Sequence, residues 1–334
     1  MNKHLALLAL TGALALLAAQ DQAITQGDMP ALKLEAKIPL GNVSGRIDHM
    51  AVDVTQHRLF VAELGNNTVG IINLGGRNVI RTLDGLKEPQ GVAYLPSTDT
   101  LYVANAGDGS VRLFRGSDYA AAGQIDLGDD ADNIRLDVHT NRIVVGYGSG
   151  GLAIIDAANS KKIANIPLSV HPEGFQLDPG SNRIFVNLPK AQAIAVVDRQ
   201  SGRQTATWPT NVAGGNFSMA LDQTARHVLV AFRDPAKLGV FSMEDGSLIA
   251  SPDICGDADD LFVDAKRRRV YISCGEGFLD ILDSAQGAYR RIARIATVAG
   301  ARTSLFVPEM DRLMLAVRAS AGEPAAIWVF QPMP

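Results

Sequence analysis

Residues 130–145 read DADNIRLDVHTNRIVV and residues 257–272 read DADDLFVDAKRRRVYI. The two stretches lie 127 residues apart and share a plan: an acidic entry, an apolar strand ending in Asp, a polar turn with Arg, and a second apolar strand. The second strand recurs along the chain as LFVAE from Leu59, LYVAN from Leu101, IVVGY from Ile143, IFVNL from Ile184, VLVAF from Val228, VYISC from Val270 and LMLAV from Leu313. Successive starts are separated by 42, 42, 41, 44, 42 and 43 residues. A period this regular marks a repeat architecture.

Each unit has the same internal order. A first strand (HMAVDV, QGVAYL, NIRLDV, GFQLDP, SMALDQ, DLFVDA, TSLFVP) precedes a polar turn and the anchor strand. A third strand follows (VGIINL, VRLFRG, LAIIDA, IAVVDR, LGVFSM, LDILDS, IWVFQP), and a weaker fourth (VIRTLD, AAGQIDL, KIANIPL, QTATWPT, SLIASPD, RRIARIA) closes all units but the last. Short strands at regular spacing with turn signals between them argue for an all-β fold. Four strands in a repeat of ~40–45 residues is the pattern of a propeller blade. The chain is therefore expected to be an all-β, seven-bladed β-propeller with four-stranded antiparallel blades. The seventh unit ends before a fourth strand, whereas LKLEAKIPL at 32–40 stands unassigned ahead of the first. It is expected to supply the outer strand of the last blade and close the ring, leaving only short edges.

The grammar LYVAN…VRLF and RLFVA…VGIINL resembles the YVTN-repeat β-propellers, and the whole-chain layout is similar to their YncE-like periplasmic members. The resemblance spans about residues 32–332. It implies a single propeller domain over 32–332 and a non-catalytic binding or scaffold role. It does not choose a ligand, because one fold hosts many functions.

The first residues, MNKHLALLALTGALALLAAQ, combine a short basic start, an apolar run from Leu5 to Leu17 and small residues at Ala18 and Ala19. That is the layout of a secretory signal peptide. The apolar run is short for a membrane span. Residues 1–19 are expected to be a signal peptide and 20–31 a linker, with the product periplasmic or secreted, free of a membrane span after cleavage, and monomeric. The formal charge of −4 gives no broad attraction to nucleic acid. Cys255 and Cys274 lack zinc-site spacing. Both fall at the same end of one repeat, so either a disulfide or two buried thiols fits an oxidising compartment.

In a propeller the first strand of each blade lines the central channel, and the loops entering it open on one face. Counting back eleven residues from each anchor places Asp48, Gln90, Asp132, Glu173, Phe217, Asp259 and Arg302 around that mouth. Counting back ten places His49, Gly91, Asn133, Gly174, Ser218, Asp260 and Thr303, with Arg46 and Asn216 beside them. The expected ligand-binding set is Arg46, Asp48, His49, Gln90, Asp132, Asn133, Glu173, Asn216, Asp259, Asp260 and Arg302. Packed carboxylates repel and shift to higher pKa unless neutralised. Asp48, Asp132, Glu173 and Asp259 are thus candidate ligands for a divalent cation, Ca²⁺ or Mg²⁺ by their oxygen donors. His49 and His171 would admit a softer ion.

The ring also has a structural reading, as caps of strand-entry loops. The Asp that ends the first strand in five units (Asp53, Asp137, Asp178, Asp222, Asp264) serves the following turn. Tyr147, Phe232 and Arg233 are expected at the rim, and the run Lys266–Arg269 on a solvated turn. No GxSxG, P-loop, HExxH or CxxCH occurs, and YGSGG at 147–151 precedes a strand, not a phosphate-binding helix. The favoured expectation is a binding or scaffold protein for a small molecule, peptide or periplasmic protein. The alternative is a metal-dependent hydrolase, lactonase or lyase, with His49, Glu173 and Asp259 as candidate catalytic groups.

Overall fold

The structure, a computed structural model, describes residues 30–137 and 140–334. These residues form seven four-stranded antiparallel sheets. The expected signal segment 1–19 and most of the linker 20–31 lie outside the described residues. Among the described residues no helix is long and apolar enough to cross a membrane.

Every sheet follows the order read from the repeat. In blade 3 the inner strand Ala131–Asp137 pairs with Arg142–Tyr147, which pairs with Gly151–Asp156, which pairs with Lys161–Pro167 on the outside. The outer strands are half polar and carry the exposed Ile80, Ile163 and Ile292. The second and third strands are almost wholly buried, as expected for strands covered on both faces. The inner strands of successive blades touch, and that of blade 7 touches that of blade 1. The channel is thus walled by one strand from each blade.

The ring closes as the unassigned segment requires. Leu32–Pro39 pairs antiparallel with Ala326–Pro332 and becomes the outer strand of blade 7. Leu32 and Ile38 are buried there, in the wedges that blade 7 shares with blades 6 and 1. The apolar core is divided into such wedges, one between each pair of neighbouring blades.

The turn aspartates are structural, as read. Asp53, Asp137, Asp178, Asp222 and Asp264 are buried. Asp53 accepts bonds from the Thr55 and Gln56 amides and pairs with Arg58 at 2.7 Å. Asp222 accepts the Ala225 amide and the Tyr289 hydroxyl of blade 6, each at 2.9 Å. Asp137 pairs with Arg199 of blade 4 at 3.0 Å. Asp53, Asp178, Asp222 and Asp264 each order their own turn, and several of the five acids also fasten the next blade.

The Lys266–Arg269 run departs from expectation. Arg267 is mostly buried, pairing with Asp264 at 3.0 Å and Asp311 at 2.6 Å and donating to Met333 O at 3.1 Å. Arg269 donates to Met333 O at 2.6 Å. The two arginines bind the closing seam because blade 7 leaves backbone carbonyls there without sheet partners. Lys266, beside Asp311, and Arg268 stay in solvent as expected.

Candidate functional site

A cavity of about 570 Å³ opens at the channel mouth, on the face carrying the strand-entry loops. All seven blades contribute to it, through Arg46 and His49, Gln90, Asp132, Glu173, Phe217 and Arg233, Asp259, and Arg302 in blade order. The backbone explains why two consecutive count-back positions both reach the cavity. Pairing registers slip between Pro89 and Val92, Ala131 and Ile134, Asn216 and Ser218, and Ala258 and Asp260. Such a bulge re-aims a side chain that would otherwise alternate away. Asp132 with Asn133, and Asp259 with Asp260, therefore line the cavity together. Gly174 is required where the strands crowd, since a Cβ there would sit 2.6 Å from Phe217 O.

Charges are segregated around the rim. On the side of blades 5, 6, 7 and 1, arginines and acids interlock. Arg302 reaches Asp257 at 2.8 Å and Asp259 at 2.9 Å. Arg233 pairs with Asp257 at 3.3 Å and with Asp259, and its guanidinium lies 3.9 Å from the Phe217 ring centre. Arg46 reaches Asp48 at 2.7 Å and Gln90 at 3.3 Å. Burial, with Arg302 and Arg46 close by, pulls the Arg318 pKa down.

The side of blades 3 and 4 is acidic, with Asp129, Asp130, Asp132 and Glu173 beside His171 and Lys190. Burial, then the Asp132 charge, pushes the Glu173 carboxyl up to about 7. Burial also raises Asp130. The His171 imidazole is 3.5 Å from Asp130 and 4.0 Å from Asp132, and its Nδ1 is 2.5 Å from Gly148 O. Burial pulls that imidazole down, but Asp132, the Gly148 carbonyl, Asp130 and Glu173 together push it up to about 9.

The cavity floor is polar. His49 sits 3.6 Å from both Asp48 and Asp260. Its burial is outweighed by Asp260 and Asp48, and its pKa rises to about 10. Burial raises Asp48 to about 6 against the pull of His49 and Arg46. Arg135 projects into the channel beside them, its pKa lowered by burial. Below this waist a second cavity of about 530 Å³ opens toward the other face, lined by Ala51, Ala93, Leu136, Leu221 and Val263.

Nine of the expected ligand-binding residues line the mouth: Arg46, His49, Gln90, Asp132, Asn133, Glu173, Asp259, Asp260 and Arg302. Asp48 lies just beneath, fully buried under Arg46 and His49. Asn216 is not at the cavity. It stands on the other side of the blade 5 bulge and donates to Asn187 Oδ1 at 3.3 Å and Ala193 O at 3.0 Å. The four expected metal ligands also separate. Asp48 and Asp259 are taken by arginines, while Asp132 and Glu173 gather with His171. Of the rim residues, Arg233 lines the cavity, Phe232 is buried in the wedge between blades 4 and 5, and Tyr147 bonds Asn165 and Lys162 outside it.

Asp129, Asp130 and Arg135 were not among the expected residues. Arg135 was detectable: counting back eight gives Ala51, Ala93, Arg135, Gln176, Ala220, Phe262 and Leu305, in which one cation breaks a mostly apolar series. The YGSGG turn forms cavity wall through Gly148 and Ser149. Cys255 and Cys274 form a disulfide with Cα atoms 5.8 Å apart, fastening the loop that carries Asp257 and leads into the strand of Asp259.

The architecture has a known counterpart. A chain of the Kuenenia stuttgartiensis hydrazine synthase structure superposes with a TM-score of 0.74, over 87% of this chain and 97% of that one, at 16% identity. The fold is that of a propeller. At this identity the likeness extends to architecture alone. No protein-family model matches the sequence, and no curated protein matches it.

Proposed function

We propose that the chain is an exported, YVTN-type propeller, periplasmic or secreted, that acts as a monomeric binding protein. Its loop-face cavity takes a small polar ligand or the end of a peptide. The observation that carries this reading is one mouth cavity built by side chains from every blade, with an arginine-rich arc facing an acidic arc. Ordered ion pairs on rigid strands are a preorganised polar surface, which lowers the cost of orienting a ligand. The paired arginines retain unused N–H donors. They suit a carboxylate or phosphate at one end of the ligand, and the acidic arc suits an amine or other cation at the opposite end.

The catalytic alternative stands on one grouping, Asp132 with His171 and Glu173, and requires an ion there. Turnover of lactones and esters by metal-loaded protein would favour it over binding alone.

The test is a thermal-shift screen of amino acids, short peptides, small carboxylates and phosphate esters, followed by calorimetry. Ser149 is exposed on the rim and lines the cavity, so Ser149→Trp blocks the mouth without touching the core. Hits that bind the wild type and lose affinity in Ser149→Trp support the reading. Hits that bind both equally place recognition elsewhere and overturn it.

A further inference from the structure

We propose that Asp132, His171 and Glu173 form a binding site for a first-row divalent transition ion of the Zn²⁺ or Mn²⁺ class. The inference stands apart from the small-ligand reading, since the ion site is complete in its own residues.

The three side chains each offer a ligand atom, and these atoms lie within 4.8 Å of one another. Three donors spread evenly at ~2.0–2.2 Å from one ion are at most ~3.8 Å apart, so each would move inward by less than about 1 Å. Two further observations point to a cation. The first is the setting of the imidazole. His171 Nδ1 lies 2.5 Å from Gly148 O, so this nitrogen donates, and Nε2 faces Asp132. A backbone carbonyl holding one ring N–H while the other nitrogen faces carboxylates is the usual outer support of a metal-bound histidine.

The second is unmet polarity. Asp132 is only 6% exposed and its Oδ1 has no hydrogen-bond partner. Its neighbour Asn133, 4% exposed, has an equally unpartnered Oδ1. Leaving buried acceptors unsatisfied is costly. Arg46, Arg233 and Arg302 are engaged with Asp48, Asp257 and Asp259. Arg135 and His49 act on Asp132 through space, but Arg135 spends its bond on Ile134 O and His49 lies against Asp48 and Asp260.

The scaffold fixes the donors in place. The Glu173 amide donates to Asn187 O at 3.0 Å, the Gly174 amide to Phe217 O at 2.9 Å, and the Gly148 amide to Asp130 O at 3.1 Å. One nitrogen with two carboxylates suits a borderline ion; Ca²⁺ prefers six to eight oxygens. Three protein ligands leave coordination positions open toward the cavity, where water or an oxygen of a bound molecule would complete the shell.

The test uses the folded chain stripped with a chelator, then titrated with Zn²⁺ and with Mn²⁺ by calorimetry, and with Co²⁺ by visible absorption. The expected result is one ion per chain, with affinity lowered by about tenfold or more in His171→Ala and in Asp132→Asn. Glu244→Gln, in an exposed ion pair with Arg226 away from the cavity, should bind as the wild type does. Co²⁺ bands sensitive to His171→Ala would place imidazole in the coordination shell, and on the wild type they need no variant to fold. Failure to bind any of the three ions, or binding that both variants leave unchanged, overturns the proposal. Neither outcome bears on the Ser149→Trp result, so the two readings fail separately.

Discussion

Two rings of buried acids, at opposite ends of the same inner strands, behave differently. The turn acids repeat: the same Asp in five blades, each bonded to its own turn or to a neighbouring blade. Against the upward push of burial, bonds from Ser181, the Gly180 amide and Arg183 hold Asp178 below its ordinary value. The mouth acids do not repeat. Asp48, Gln90, Asp132, Glu173, Phe217, Asp259 and Arg302 share one position and little chemistry. There burial lifts Asp48 to about 6 and Glu173 to about 7. An acid repeated blade after blade serves the blade; one that breaks the pattern serves something only the whole ring encloses.

The largest test removes the frame of both rings. Deleting residues 31–40 takes away the outer strand of blade 7 and the buried Leu32, Ile38 and Leu40. At ~1.5–3 kcal/mol per buried side chain the loss is roughly 5 kcal/mol or more, comparable with the stability of a whole domain. The truncated chain should lack a cooperative melt in circular dichroism; a wild-type melt would show that the ring closes without this strand.

Next comes the turn ring alone. Asp222→Ala leaves the Ala225 amide and Tyr289 hydroxyl without their acceptor. A loss of about 2–4 kcal/mol in urea unfolding is expected from such a buried network, with mouth binding kept in the protein that remains folded. Equal losses of binding and stability would erase the contrast between the rings.

The third test concerns pH at the mouth. His49 is held protonated to about 10 against an ordinary 6.5. A raised histidine stabilises the fold fully below pH 6.5, and that contribution is lost as pH rises through 10. Between pH 7 and 10 the wild-type Tm should fall by on the order of 5 °C, and His49→Gln should flatten much of that slope. An unchanged slope in the variant would show that Asp48 and Asp260 do not hold the proton.

The smallest effect is expected at Glu173. Its charge is disfavoured where it stands, so Glu173→Gln should alter stability of chelator-treated protein at pH 8 by less than about 1 kcal/mol, in either direction. A loss as large as that of Asp222→Ala would make Glu173 structural.

The contrast also explains how far the sequence could be read. Strand order, blade number and the closing strand follow from a period of about 42 residues, because burial between blades enforces the same apolar pattern each time. Most of the mouth follows too, since a fixed offset from the anchor is a fixed height in the channel. The misreadings fall where the backbone leaves that ruler. Asn216 lies one residue beyond the counted position, and a bulge turns it into the blade. His171, named from the sequence as able to admit a softer ion but given no place by the count, reaches Asp132 and Glu173 from a loop of no fixed register, and its partner Gly148 comes from another blade. Which acids are neutralised depends on arginines as distant as Arg233 and Arg302, and no local pattern encodes that pairing.

The closing seam has a further consequence. The Met333 amide donates to Ala31 O at 3.0 Å, so the first and last strands of the ring finish side by side. A short Gly-Ser tether could join them, and the ring could be opened instead at an exposed hairpin such as Glu244–Asp245. Such a circular permutant would convert the non-covalent join of blade 7 into a continuous one and move the break to blade 5. Mouth chemistry that depends only on the assembled ring should be indifferent to where the chain is cut.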